Sequence, residues 1–109
     1  MDDVTNQVIQ HLTGRTLYQG DHPDFKSALE YGVKIGVDFA GANLRDQDLS
    51  RVSLVGGKFD GANFDGCKLV GTNLQNANLK NSSMVFVNMR NAYTEGMSMV
   101  GATATHWRT

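Results

Sequence analysis

The chain of 109 residues has little cysteine, little proline and no excess of either charge: one Cys, one Pro and a formal net charge of −1. Cys67 alone cannot form an internal disulfide, and the first residues lack the basic and then apolar order of a signal peptide. We therefore expect a cytoplasmic protein. The charge balance shows neither the basic excess of a nucleic-acid-binding protein nor a strongly acidic surface, so we expect no direct contact with nucleic acid.

Long apolar runs are also missing from the chain. No uncharged stretch approaches the roughly 18 apolar residues that a membrane-spanning helix needs, and we expect no membrane association. Glycine, in contrast, is frequent, with 12 residues. This composition suits a single domain that turns often around a narrow core.

Large apolar residues recur at every fifth position through the middle of the chain. The series has no exception: Phe39, Leu44, Leu49, Leu54, Phe59, Phe64, Leu69, Leu74, Leu79, Met84 and Met89. A period of five fits neither the 3.6-residue turn of an α-helix nor the two-residue period of a flat strand. Each five-residue segment is therefore expected to form one side of a repeating solenoid.

The residues before the repeat are predicted to form a helical cap. Acidic residues followed by spaced apolar residues predict an amphipathic helix over residues 2–13: Asp2, Asp3, Val4, Val8, Ile9 and Leu12. Residues 15–22 show no period and are predicted to form a loop. Because the first coil of a solenoid exposes its core and unpaired backbone groups, residues 1–36 are expected to cover that end.

A second helix is predicted to begin near Pro23, with Asp21 or Asp24 as its N-cap and Gly36 as its end. Its apolar stripe consists of Phe25, Ala28, Leu29 and Val33. In the alternative interpretation, an alternating strand enters the solenoid through Val33, Ile35, Val37 and Phe39.

Residues 37–104 resemble the pentapeptide-repeat family, whose pattern is Ala, then Asp or Asn, then Leu, then two variable residues. The matching copies are Ala42-Asn43-Leu44, Ala62-Asn63-Phe64, Thr72-Asn73-Leu74 and Ala77-Asn78-Leu79. The resemblance implies an all-β solenoid, a right-handed quadrilateral β-helix with 20 residues per coil and about three and a half coils. Residues 1–36 are then a helical capping segment and residues 105–109 a C-terminal tail.

Charged residues that the repeat pattern does not specify support a coil of 20. Residues 20 apart would lie one above the other at about 4.8 Å, so charges at this separation should be opposite. Four pairs fit: Asp38 with Lys58, Arg45 with Asp65, Asp48 with Lys68, and Asp60 with Lys80. Glycine and asparagine share one register two residues after the central apolar residue, which predicts turn corners there.

No catalytic or metal-binding site is predicted. His11, His22 and His106 are far apart in the sequence, and Cys67 occupies a small inward position of the repeat. We expect no enzymatic activity, no metal and no cofactor. Gln47 is the one polar residue at an inward position where the other segments have small side chains. Its side chain must therefore find a backbone partner or tilt outward.

Apolar residues in outward or terminal positions of the last coils form the first candidate surface: Val85, Phe86, Tyr93, Met97, Val100 and Trp107. An uncovered last coil is an edge that favours association, so we expect a protein partner or a homodimer joined at the C-terminal end. In the competing interpretation, Met97 points into the core and Trp107 folds over the last coil.

An acidic corner made by Asp46, Asp48 and Asp65 is the second candidate surface. Some members of the resembled family mimic duplex DNA and occupy enzymes such as gyrase, which requires rows of unpaired carboxylates. Acidic and basic residues are equal here, six of each within 37–104, so mimicry of DNA against a topoisomerase or another DNA-binding enzyme is the alternative hypothesis.

The leading hypothesis is a non-enzymatic protein that docks on a macromolecular partner through its rigid faces and inhibits it. The habits of the resembled family suggest a phage or mobile-element antagonist of a host protein. A purely architectural part of a larger assembly is a third hypothesis.

Overall fold

A hairpin and a helix precede a long stack of five-residue turns in the computed structural model, which describes residues 3–109. The hairpin consists of β1 (Thr5–Gln10) and β2 (Thr16–His22), paired antiparallel. The helix, α1, covers Phe25–Lys34. The remaining chain forms short bridges between successive coils, and the molecule measures 40 × 28 × 22 Å along its principal axes.

The helix predicted over residues 2–13 is wrong, because strand β1 occupies this segment. Asp2, which belonged to that prediction, lies outside the described residues. Of the apolar stripe only Ile9 is fully buried, while Leu12 remains 48% exposed. A strand has backbone groups free on its second edge, and β1 uses them: Asn43 N donates to Gln10 O at 2.8 Å. A helix satisfies its backbone internally and could not pair in this way.

The loop predicted over residues 15–22 is also wrong, because β2 forms there. Strand β2 pairs with β1 from Thr16 opposite Gln10 to His22 opposite Thr5, with an irregularity between Ile9 and Gln10. No hydrophobic alternation marks β2, because its two large apolar residues, Leu17 and Tyr18, are adjacent in the sequence and both are half-buried. Its strand character therefore depends on β1 rather than on its own pattern.

The second predicted helix is confirmed as α1. Asp24 is the N-cap, with its carboxylate oxygen accepting from Ser27 N at 2.8 Å, and Gly36 follows the helix with a φ of +85°. The alternative strand through Val33 does not form. Ala28, Leu29 and Gly32 are buried against the repeat, where Gly32 leaves room for the ring of Phe39.

The repeat forms a β-helix-like solenoid whose coils contain 20 residues. Bridges join Asp38 with Lys58, Lys58 with Asn78 and Asn78 with Ser98, all of them parallel. Two of the predicted opposite-charge pairs, Asp38 with Lys58 and Asp48 with Lys68, are themselves bridge partners. The bridge pattern continues to Arg108. Four five-residue segments therefore complete one coil.

Backbone hydrogen bonds run in both directions between coils. The inward residue donates to the next coil, as Phe39 N does to Lys58 O at 2.8 Å. The residue before the inward one donates to the preceding coil, as Asn63 N does to Ala42 O at 2.9 Å. Every coil in the middle of the stack is thus bonded on both sides.

The core is a narrow column filled by the every-fifth residues. From Phe39 to Met84 these side chains are fully buried, and Met89 is 5% exposed. The rings of Phe39 and Phe59 stack at 5.9 Å one coil apart, and Phe64 meets Phe59 edge to face at 5.2 Å. Further along, Met99 is only partly buried, so the core opens toward its C-terminal end.

Polar side chains in the inward register donate to backbone carbonyls: Ser82 Oγ to Leu79 O of its own coil at 2.7 Å, and Cys67 and Thr72 to the preceding coil. Cys67 Sγ donates to Leu44 O at 2.8 Å, and Thr72 Oγ1 donates to Leu49 O at 2.6 Å. Gln47 instead stays partly exposed beside helix α1, where it lines a shallow pocket with Lys26. Within residues 3–109, every buried side-chain nitrogen or oxygen has a hydrogen-bond partner.

Left-handed backbone marks the corners, as the glycine register predicts. Every fifth residue from Gly41 to His106 has a positive φ. Ten of these are the predicted Gly and Asn residues, and four are other residues: Asp46, Arg51, Phe86 and His106. The fold therefore imposes the corner conformation even where the side chain disfavours it.

Candidate functional site

Within the described range, no cluster of three or more His, Cys, Asp or Glu residues is arranged to hold a metal ion. No described helix has the length and apolar character needed to cross a membrane. Burial raises the pKa of Cys67 to about 12, so its thiol stays protonated. The features that remain are surfaces rather than reactive groups.

The apolar residues predicted as one C-terminal surface lie on different sides of the solenoid. Phe86, Tyr93 and Val100 are 66%, 59% and 72% exposed. Phe86 sits at a corner, whereas Tyr93 bridges Asn73 on one side and Val100 follows the bridge of Ser98 on another. Val85 is half-buried, and its backbone N donates to Asp65.

Met97 and Trp107 come together at the open C-terminal end, where both pack against the core. Trp107 Nε1 donates to Met84 O at 2.6 Å, which is the same step of 23 residues that Cys67 and Thr72 make. With Met89 and Met99 they line an open groove of about 520 Å³. We call this the end groove.

The acidic corner separates into two environments. Asp46 N donates to Asp65 O, and Asp65 Oδ1 accepts from Ser83 Oγ at 2.6 Å and from Val85 N at 2.9 Å. Asp48 lies in the bridge with Lys68. Hydrogen bonds from the Ser50 hydroxyl and backbone, with smaller contributions from nearby lysines, lower the pKa of the Asp48 carboxyl.

Phe86 and His106 form an aromatic column at one corner. Their rings stack at 4.6 Å with an angle of 12° between the planes, one coil apart. Both residues have positive φ, at 60° and 56°. A bulky residue such as Phe86 rarely adopts this conformation, whereas histidine adopts it more readily.

A polar column runs beside this aromatic column, two residues further along each coil. Lys68 bridges Asn88, and Asn88 bridges Arg108. The residues between the columns, Cys67 and Val87, are buried, so a furrow stays open between them. Its volume is about 260 Å³, and we call it the corner groove; it is lined by Gly66, Cys67, Lys68, Phe86, Val87, Asn88, His106 and Arg108.

Sequence reasoning selected Phe86 but missed His106, Lys68 and Arg108 as its neighbours. The signal was present in the 20-residue spacing: Phe86 and His106 share a corner register, and Lys68 and Arg108 are 40 apart in another. It was missed because the apolar residues were grouped by their position near the C-terminus and not by register. Position within the coil decides which side chains meet.

A further cavity of about 610 Å³ lies beside helix α1, lined in part by His22, Tyr31, Lys34 and Val55. Tyr18 Oη and His22 Nε2 are 2.7 Å apart at its border, and Tyr31 lies within 6.2 Å of the Tyr18 ring. Burial, and secondarily the neighbouring Tyr31, raise the pKa of Tyr18. Sequence reasoning did not identify this cavity, because β2, which borders it through His22, was predicted as a loop.

The stacked coils, the inward apolar column and the left-handed corners define a protein of the β-helix-like solenoid class. A model of the family described as pentapeptide repeats matches residues 35–66 and 58–93, with eight copies. The chain belongs to the pentapeptide repeat family.

Two solved structures of this family are similar to the chain. A pentapeptide repeat protein of the cyanobacterium Cyanothece 51142 is 28% identical, with 61% of this chain and 42% of that one covered and a TM-score of 0.37. A pentapeptide repeat protein of Nostoc Pcc 7120 is 22% identical over 67% of this chain and 74% of that one, with a TM-score of 0.36. The chain thus spans less than half the length of the Cyanothece protein. Among proteins with curated descriptions, none matches this sequence.

Proposed function

We propose that this protein is a non-enzymatic binding protein that docks on another protein through the surface of its solenoid and inhibits it. The scaffold in this proposal is a right-handed, four-sided β-helix of about three and a half coils. The proposal rests mainly on the conformation and exposure of Phe86. This residue combines a left-handed backbone with a side chain that is 66% exposed.

Both features of Phe86 oppose folding. A left-handed conformation costs about 1–2 kcal/mol for a residue with a Cβ, and an exposed aromatic ring gains little from burial. Asparagine occupies equivalent corners at Asn76, Asn81 and Asn91, so a better residue for the fold is available. Strained and exposed residues are typical of recognition sites, because contacts with a partner can offset the free energy that such a residue costs the folded protein.

Affinity capture from a lysate with matched corner variants tests this function. Phe86→Asn removes the ring and keeps a residue that suits the corner, while Arg51→Asn makes the same change at a different corner. We expect a partner that wild type and Arg51→Asn retain and that Phe86→Asn loses by about tenfold. Equal capture by all three proteins, or by none, contradicts the proposal.

The end groove supports a second candidate, a homodimer joined at the C-terminal end. Met97, Met99 and Trp107 are only partly buried there, and a second copy would bring an identical apolar surface. Light scattering should show twice the mass of 11.9 kDa, and Met97→Asp should restore the monomer while Phe86→Asp should not. A monomer at about 1 mM would exclude this association.

Mimicry of duplex DNA, the alternative function, has less support. Asp65 and Asp48 hydrogen-bond within the protein, and Asp48 lies beside Lys68. A polyanion mimic needs carboxylates free to replace phosphates. Capture of a DNA-binding enzyme that survives Phe86→Asn and falls with Asp46→Asn would favour mimicry over the proposed function.

A further inference from the structure

The corner groove has one aromatic side and one cationic side. Phe86 and His106 stack along its corner, and Lys68 and Arg108 stand in the neighbouring column. Because Cys67 and Val87 turn inward, no outward side chain fills the space between the columns. The two columns are two residues apart along each coil, which is about 7 Å in extended chain.

The charged residues that line the corner groove, Lys68 and Arg108, are both cationic. In the bridge ladder Asp48, Lys68, Asn88, Arg108, the acid lies at the first position, and the groove includes only the last three. Lys68 and Arg108 are exposed, separated by two coils or about 10 Å. Asn88 between them can donate or accept a hydrogen bond. Such a surface attracts carboxylates and orients them. This attraction increases the association rate and the specificity of binding more than it increases the affinity.

We propose that the corner groove binds an acidic segment of the partner protein, in which Asp or Glu side chains meet Lys68 and Arg108 while an apolar side chain packs on Phe86. Extended chain places side chains i and i+2 on one side about 7 Å apart, within reach of the flexible Lys and Arg side chains. This inference rests on the proposed binding function and names the chemistry of the partner.

The volume and the surrounding charges favour a protein segment over other anions. A groove of about 260 Å³ is smaller than the roughly 300–1,000 Å³ of small-molecule sites, but it admits one or two side chains. Asp46 occupies the same corner column one coil before Gly66, with its carboxylate against that glycine, and Asp65 directly precedes Gly66. These carboxylates would repel an extended polyanion such as single-stranded nucleic acid, whereas a short segment avoids them.

Fluorescence anisotropy with labelled ten-residue peptides tests the proposal on the full chain. The first peptide alternates Asp or Glu with Phe and Leu, the second carries Gln in place of the acids, and the third carries Lys. A twelve-nucleotide oligothymidine is the fourth probe. We expect the acidic peptide to bind about tenfold more tightly than the Gln peptide, with weaker binding at higher salt.

Variants identify the groove as the binding site. Lys68→Gln and Arg108→Gln should each weaken binding of the acidic peptide about threefold, and Phe86→Asn about tenfold. Arg51→Gln is the matched control, because it removes a cation from another corner, and it should leave the affinity within about twofold. Circular dichroism and thermal unfolding of each variant establish that the fold is retained.

Three outcomes would overturn the acidic assignment: equal binding of the Gln peptide, tighter binding of the oligothymidine, or no binding of the acidic peptide at all. An equal loss in Arg51→Gln would reduce the effect to general charge attraction and also overturn it. Capture of a partner that depends on Phe86 but not on Lys68 and Arg108 would leave the proposed binding function intact. If, in addition, no partner is captured, both the acidic assignment and the proposed binding function are contradicted.

Discussion

A single backbone angle decides which residues suit the fourteen corners of the solenoid, from Gly41 to His106. Glycine adopts positive φ without strain, asparagine, aspartate and histidine adopt it more readily than other residues, and the others are destabilised by about 1–2 kcal/mol. Arg51 and Phe86 are therefore the corners that reduce stability most. At residue scale, the backbone conformation of these positions opposes the stability of the fold.

Gly61→Val tests the corner strain without a packing effect, because a Cβ at Gly61 would meet no atom within 4 Å. We expect a loss of about 1–2 kcal/mol in the free energy of unfolding, measured by urea denaturation. Gly61→Asn is the control and should lose less, since asparagine occupies the next corner of the same column at Asn81. Equal stability of the valine variant would show that the corner has relaxed.

Cys67 should be inert toward thiol reagents in the folded protein. Burial raises its pKa to about 12, so the reactive thiolate is scarce at pH 8. We expect less than about one hundredth of the labelling rate seen in guanidinium, measured with a chromogenic disulfide. The protonated thiol contributes stability that is complete below the unfolded pKa of about 8.5 and declines as pH rises toward 12. Rapid labelling at pH 8 would indicate local opening of the second coil.

Helix α1 is short and depends on its N-terminal cap. Asp24→Ala removes the acceptor for Ser27 N and should reduce the free energy of unfolding by about 1 kcal/mol. Asp21→Ala, an exposed change in β2, is the control and should stay within about 0.5 kcal/mol.

The Asp24 cap also has a pH dependence. Hydrogen bonds from the Ser27 hydroxyl and backbone lower the pKa of the Asp24 carboxyl. Its contribution is present above the unfolded pKa of about 3.9 and is lost as pH falls through the folded pKa. The difference between wild type and Asp24→Ala should therefore shrink in acid. A difference that persists below pH 2 would contradict the cap.

The contact of α1 with the first coil requires a glycine. A Cβ at Gly32 would meet Phe39 Cζ at 2.5 Å, within the core of the first coil. Gly32→Val should lower the free energy of unfolding by about 1–3 kcal/mol, although it removes a poor helix former. Lys34→Val introduces the same side chain at an exposed position of the same helix and should change stability by less than about 1 kcal/mol. Similar losses in both variants would show that helix propensity dominates.

At the scale of the whole molecule, the burial of the inward side chains decreases along the solenoid axis toward the C-terminal end. Phenylalanine fills the first coils, methionine follows, and the equivalent inward positions Thr94 and Ala104 are exposed. Middle coils have hydrogen bonds on both sides, whereas the last coil bonds only toward the preceding one in the described structure. Local opening should start at this end.

Hydrogen exchange read by mass spectrometry measures this gradient. We expect amides of residues 59–84 to exchange at least about tenfold more slowly than those of residues 94–106. The experiment should be repeated after dilution, because a homodimer at the end groove would protect the last coil in a concentration-dependent way. Uniform protection at every concentration would contradict the gradient.

The repeat could be predicted from the sequence because each five-residue segment carries its own instructions. The inward series from Phe39 to Met89 and the Gly and Asn corners are local and recur many times, so a few exceptions such as Gln47 do not obscure them. Helix α1 was also predictable, since its stripe and its cap at Asp24 lie within one short segment of the chain. The hairpin was not, because strands β1 and β2 stabilise each other across a turn and β1 pairs with a coil more than thirty residues away.

The sequence alone thus determined the period of five and the inward side chains, since these recur at fixed intervals, and it indicated the coil of 20 through the family resemblance and the opposite charges at that spacing. Only the tertiary structure decided which outward side chains meet, because contacts between coils join residues 20 apart and nothing local reports them. Tyr93 and Val100, close in sequence, lie on different sides, while Lys68 and Arg108 frame one groove with Phe86. The tertiary structure also decided that a strand covers the first coil. The open edge of that coil needs free backbone hydrogen-bonding groups, and those of a helix are already paired within the helix.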